Sequence, residues 1–277
     1  MNLSDLKKID DLQQISFSKC ECFLHKEHRW VLPIIFYKQQ ENILPHPCTL
    51  VVFDAHHDTL SPSCTCIKDI LRIKETGITF DELVNLCQEK LSKRDDDWVK
   101  VGMELGLIDD AVIFGVEDGV GNGNLEKYKD QQCNIHKIKL LGLPREELGN
   151  QGDLSDIIRL EDLSDFWKIL GWQYNHQFSF MQAGRKILLD FDLDCFIIQL
   201  KSYHFPWPDE VFAKEFMVPS NHQTTLGWTG KDFLNSLINK AALITIAKEP
   251  DFCDGEIKAT QVFYKVNHFL FDDKLSI

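Results

Sequence analysis

Apolar runs of strand length alternate along this chain with stretches whose apolar residues recur at helical spacing. Residues 30–37, 49–53, 111–116, 135–140, 186–191 and 243–247 read as strands. Residues 79–91, 98–105, 160–170, 208–217, 229–242 and 256–269 read as helices. Thr79 and Thr229 stand where N-caps belong, each ahead of an acidic or polar first turn, and Gly106 and Gly171 follow helical runs as C-cap glycines do. Strands alternating with helices predict an α/β fold with a mostly parallel sheet covered on both faces. The strand runs themselves are nearly all apolar, as strands buried on both faces should be. Residues 144–156 and 204–222 read as long polar surface connections, and with no repeat or linker the whole of 1–277 reads as a single domain.

Two acidic clusters break this pattern. Asp54-Ala55-His56-His57-Asp58 follows one apolar run directly, and Asp190-Phe191-Asp192-Leu193-Asp194 closes another. Ligands in such sheets sit beyond the carboxyl ends of the strands, where Glu117-Asp118 and Glu249 also fall. Carboxylates crowded at a strand mouth repel one another unless a cation is held there. Five or six mostly oxygen ligands exceed the three of a mononuclear catalytic zinc site and suit a pair of ions; oxygen-rich ligation with a histidine favours Mn. Two such ions can share a hydroxide at neutral pH, a nucleophile for a planar cationic electrophile such as a guanidinium.

Composition narrows the partners. Against 43 Asp and Glu stand 30 Lys and Arg, a formal charge of −13, which argues against nucleic acid or an anionic membrane and suits a cationic substrate or metal. The first residues carry no apolar signal-peptide core, and no apolar run approaches the roughly 20 residues of a membrane span, so a cytoplasmic location is expected. The nine cysteines then read as reduced thiols. Cys20/Cys22 and Cys64/Cys66 are spaced by one residue, where structural zinc sites use two to four.

The wording of the clusters resembles the arginase (ureohydrolase) family. Asp54-Ala55-His56-His57-Asp58 is similar to its Asp-Ala-His-x-Asp signature. The second cluster is similar to its Ser-Phe-Asp-x-Asp signature in either of two registers. One uses Asp192 and Asp194, keeps Phe191 and puts Asp190 in place of the Ser; the other uses Asp190 and Asp192, puts Leu188 in place of the Ser and loses the Phe. The first is preferred. A divergent arginase-like subgroup shares the His28-x-x-Val31-Leu32-Pro33 element, Asp97-Trp98-Val99 and the late stretch from Ile246 to Cys253; some of its members are peptide arginases.

The resemblance implies a three-layer α/β/α fold with a sheet of about eight strands and two Mn2+ ions. His28, Asp54, Asp58 and Asp192 would hold one ion; Asp54, His56, Asp192 and Asp194 the other. Glu249, with Asp251 as its rival, would receive the guanidinium, and Asp118 would contact substrate. His25 is the rival of His28. The family's proton-shuttling His is missing from 61–72, leaving His57 or His222 for that role. The implied activity is hydrolysis of arginine side chains in a ribosomally made precursor peptide to ornithine and urea. Alternatives are a hydrolase of free arginine or agmatine, a zinc deacetylase, or a non-catalytic metal-binding interaction protein.

Overall fold

Five of the six expected strand runs are strands, and they assemble the carboxyl-end platform on which the acidic clusters stand. The computed structural model describes residues 3–56, 58–92, 96–115, 124–128, 132–138, 184–200, 203–219 and 227–277. The first half runs α1 (Leu3–Leu6), β1 (Gln13–Ile15), β2 (Glu21–His25), a 3-10 turn (His28–Trp30), α2 (Val31–Gln40), β3 (Cys48–Phe53), α3 (Cys64–Thr76), α4 (Phe80–Glu89) and α5 (Trp98–Glu104). Then come β4 (Ile108–Phe114), β5 (Asn124–Tyr128), β6 (Cys133–Ile138), β7 (Ile187–Asp192) and a second 3-10 turn (Leu193–Phe196). The chain continues through β8 (Ile197–Leu200), β9 (Tyr203–Pro206), α6 (Asp209–Phe216), α7 (Gly230–Lys240), β10 (Ala241–Ala247) and α8 (Glu256–Phe271).

Eight strands form one sheet in the order β1-β2-β10-β7-β3-β4-β6-β5, and β8 and β9 make a separate hairpin. The six central strands are parallel and only the edge strands β1 and β5 run against them. Strand periodicity sorts the core into two layers. Val51, Phe53, Leu189, Phe191, Ile244 and Ile246 pack with α6, α7 and α8 on one face. Leu50, Val52, Leu188 and Leu243 pack with α2, α3, α4 and α5 on the other. The helices before β4 thus cover one face and those after β9 the other: a three-layer α/β/α fold.

The register brings the clusters side by side. Phe53 pairs with Phe191 across β3 and β7, so the next residues, Asp54 and Asp192, leave neighbouring strands at one level. Phe53 stacks on Phe114 and Phe191 at 5.2 and 5.1 Å, a row of rings fixing three strand ends together; such pairs contribute about 1 kcal/mol each beyond burial.

Three expectations are corrected. Residues 30–37 form a 3-10 turn running into α2, not a strand, and Val31 to Tyr37 are all buried. A short run that is apolar throughout has no periodicity to separate a buried strand from a buried helix. Pro33 is tolerated there because the first-turn N–H groups of a helix have no intrahelical acceptor. Residues 204–222 contain β9 and α6 rather than a plain loop. The helix expected at 229–242 stops at Lys240, and β10 begins on the next residue. The helix expected at 160–170, Gly171 and the connection 144–156 lie outside the described residues. Helix α3 was not anticipated; cysteine supplies part of its buried face, Cys66, Ile70 and Ile73.

Candidate metal centre

Both clusters fold by the same local device. Asp54 accepts the backbone N–H of His56 at 2.7 Å, and Asp192 accepts that of Asp194 at 3.0 Å. An aspartate that bonds the amide two residues on makes an Asx turn, which ends the strand and folds the second side chain back towards the first. Asp194 therefore belongs to the 3-10 turn and not to strand β7, which ends at Asp192. Gly115 fits the same corner, at φ +111° with room for no side chain: a Cβ would lie 2.7 Å from the Asp54 carbonyl oxygen and 2.6 Å from Cys195 Sγ.

The two clusters and the first 3-10 turn converge. His28 Nδ1 lies 2.9 Å from Asp58 Oδ2, 3.1 Å from Asp192 Oδ2 and 3.5 Å from Asp54 Oδ2. His56 Nδ1 lies 2.9 Å from Asp194 Oδ2 and 3.9 Å from Asp54 Oδ1. Two ligand-like groups result, His28/Asp54/Asp58 and Asp54/His56/Asp194, each with its donor atoms within 4.8 Å of one another and with Asp54 common to both. Asp192 reaches His28 from the neighbouring strand, and its other oxygen accepts the Asp194 amide. Asp194, and not Asp190, belongs to such a group among the described residues.

Asp190 stands on the far side of His28, with Oδ2 2.5 Å from His28 Nε2, and its other oxygen accepts the Thr245 hydroxyl. Asp58 is held by the indole N–H of Trp98 at 2.6 Å, in a left-handed conformation (φ 48°) that L-residues seldom adopt. Trp98 also packs its ring on His28, 4.8 Å between centroids.

Water is almost excluded. His28, Asp54, Asp58, Asp192 and Asp194 are all buried, whereas the His56 side chain is 39% exposed beside the ring of Phe252. Burial, then the charges of Asp58 and Asp192, hold the Asp54 carboxyl well above the usual carboxylate range. Burial and the neighbouring Asp194 push Asp192 up to about 7. Burial opposes charge on His28, but Asp190 and Asp192 outweigh it and raise this imidazole well above its ordinary value. Four buried carboxylates around so little positive charge are costly unless a cation sits among them. His28 Nδ1, crowded by three carboxylate oxygens, makes no hydrogen bond of acceptable geometry with any of them. The donor set therefore fits divalent metal: hard oxygens with one imidazole in each group.

Glu249 is buried next to this centre, and its carboxylate accepts the backbone N–H of His28. It too is left-handed, φ 43°. Its rival Asp251 is exposed. His25, the rival of His28, is turned away: its Nδ1 lies 2.9 Å from the Glu27 carbonyl oxygen. His57, Asp118 and His222 lie outside the described residues. The roles of Thr245, Trp98 and Phe252 at the site were not anticipated. Thr245 and Asp190 carried a signal, Thr245 as the polar residue of the apolar strand β10 and Asp190 as the first polar residue of β7, and they face one another in the β10–β7 register.

Neither protein-family models nor curated proteins give a match to this chain. Among the described residues no helix is long and apolar enough to cross a membrane.

Proposed function

We propose that the protein is a binuclear Mn-dependent hydrolase that converts arginine side chains, most specifically within a peptide, to ornithine with release of urea. The observation that carries this reading is the pair of His/Asp groups sharing Asp54 at the carboxyl end of the sheet. A pair of divalent ions, when bound, supplies a hydroxide nucleophile at neutral pH. His28, Asp54, Asp58 and Asp192 would hold one ion and Asp54, His56, Asp192 and Asp194 the other. The wording of the two signatures, in the register the Asx turns favour, supports the arginase-like assignment, and the charge of −13 suits a cationic substrate.

The chain's own residues divide the remaining work. Glu249, fixed by the His28 amide, supplies negative charge for the guanidinium at the edge of the centre. Phe252, beside the exposed ring of His56, walls the approach to it. Asp118 contacts the substrate in this reading. Water adds to the guanidinium carbon, the bond from that carbon to the side-chain nitrogen breaks, and urea leaves. The departing nitrogen takes a proton, a transfer we assign to His57, next to ligand His56.

The test is to load the purified protein with Mn and incubate it with arginine-containing peptides, free arginine and agmatine in parallel. Urea release matched by conversion of arginine to ornithine in the peptide mass spectrum is the expected result. Urea from free arginine or agmatine alone would move the substrate to a small molecule. No urea from any substrate, with two equivalents of Mn bound, would sink the hydrolase reading.

A further inference from the structure

Asp190 occupies the position where the resembled family has Ser, and it is not placed to be a ligand. It is fully buried, and both its oxygens are engaged, Oδ1 by the Thr245 hydroxyl and Oδ2 by His28 Nε2 at 2.5 Å. Thr245 is directly opposite Asp190 in the β10–β7 register, so two central strands of the sheet fix this carboxylate. Where this carboxylate accepts, Nε2 is the nitrogen that carries the proton. In a neutral ring the lone pair then lies on Nδ1. That atom faces Asp54, Asp58 and Asp192 at 3.5, 2.9 and 3.1 Å. A lone pair aimed at three carboxylates is repulsive unless a cation lies between them.

We infer that Asp190, braced by Thr245, is a positioning residue that holds His28 in its metal-binding orientation and tautomer and so selectively tightens the inner of the two metal positions. This rests on the binuclear reading above. A carboxylate behind a ligating imidazole fixes the ring and raises its basicity, and losing such a partner typically costs about 10–100-fold in metal affinity. The outer group, built on His56 and Asp194, touches neither Asp190 nor Thr245 in the contacts that define it.

The experiment is a Mn titration of the full chain by calorimetry, with electron paramagnetic resonance to distinguish coupled pairs from single ions. It compares wild type with Asp190→Ala, Asp190→Asn and Thr245→Val. The expected result is two equivalents in wild type and a weakening confined to one of them, by about 10–100-fold in Asp190→Ala. Asp190→Asn, which keeps an acceptor and loses the charge, should lose less, and Thr245→Val least. A melting curve checks that each variant is folded; if Asp190→Ala is not, the ordered pair Asp190→Asn and Thr245→Val carries the test. Wild-type affinity at both positions in all variants, or a loss shared equally by both, overturns the role of Asp190 and leaves the binuclear reading standing. A wild-type chain that binds no Mn overturns both.

Discussion

The two halves of the centre use the same ligand types in opposite surroundings. Around His28 everything is buried and gripped from behind: Asp190 holds the ring, Trp98 holds Asp58, and Glu249 holds the backbone. Around His56 the imidazole is 39% exposed and stands against Phe252 at the edge of the site. Charges interact far more strongly in a dry interior than beside water. The inner half is therefore the anchor of the centre, where loss of a partner is felt by the fold. The outer half is the side of the centre that meets solvent, through the His56 ring. Asp54 belongs to both, and its replacement erases the difference between them.

That makes Asp54→Asn the variant with the largest expected effect. Asn keeps the shape and an oxygen for the His56 amide but removes the charge common to both groups. Both Mn equivalents should weaken, and urea release should fall by more than about 100-fold, since a direct ligand matters more than the residues behind it. Metal content and steady-state turnover check this. Two ions held as in wild type would remove Asp54 from the centre.

The comparison sharpens when the two histidines are replaced separately. In the metal-free protein His28 supplies the positive charge nearest to Asp54, Asp58 and Asp192. Removing one partner of a buried ion pair costs about 3–5 kcal/mol. At roughly 2–4 °C per kcal/mol for a chain of this size, His28→Ala should lower the metal-free Tm by about 10 °C. His56→Ala touches a partly exposed ring and should shift it by no more than about 2 °C, while still costing the outer ion. Calorimetry of the two variants without metal measures the contrast. Equal shifts would mean that the inner half is not the anchor.

Much of this site was legible because its chemistry lies in two contiguous clusters. Asp54, His56 and Asp58 could be named from the polar cluster at one strand end, and two of Asp190, Asp192 and Asp194 from the other. The choice among those three rested on the family resemblance, and the fold class on apolar runs alternating with helical ones. What stayed hidden depended on contacts between distant segments. Asp194 folds back in an Asx turn, and Asp190 faces His28 in a pairing 162 residues apart in sequence. Trp98 was visible as part of a motif, but only its packing against Asp58 and His28 gives it a task. Helix α2 was misread because it is apolar on every side, and α3 was missed because cysteine supplies part of its buried face.

His25 offers the smallest and most local test of the contrast between anchored and unanchored imidazoles. It lies three residues before His28 and is as deeply buried, yet its pKa moves the other way. Burial drives it down to about 4, partly offset by the charge of Asp190 and reinforced by His28 and Lys248, and its Nδ1 lies 2.9 Å from the Glu27 carbonyl oxygen. As pH falls through 6.5 the unfolded chain takes a proton on this residue, while the folded protein resists until about 4. The contribution of His25 is thus whole above pH 6.5 and is lost as pH falls towards 4, about 3 kcal/mol in all. Asp192, raised to about 7, acts in the opposite sense, the metal-free protein gaining stability as it protonates; that change is common to both proteins and cancels in a difference. Denaturant unfolding of wild type and His25→Asn, each metal-free, should therefore give curves that converge on acidification, because only wild type carries the penalty. Parallel curves would show that His25 takes its proton in the fold as readily as in the unfolded chain, and that burial does not depress it.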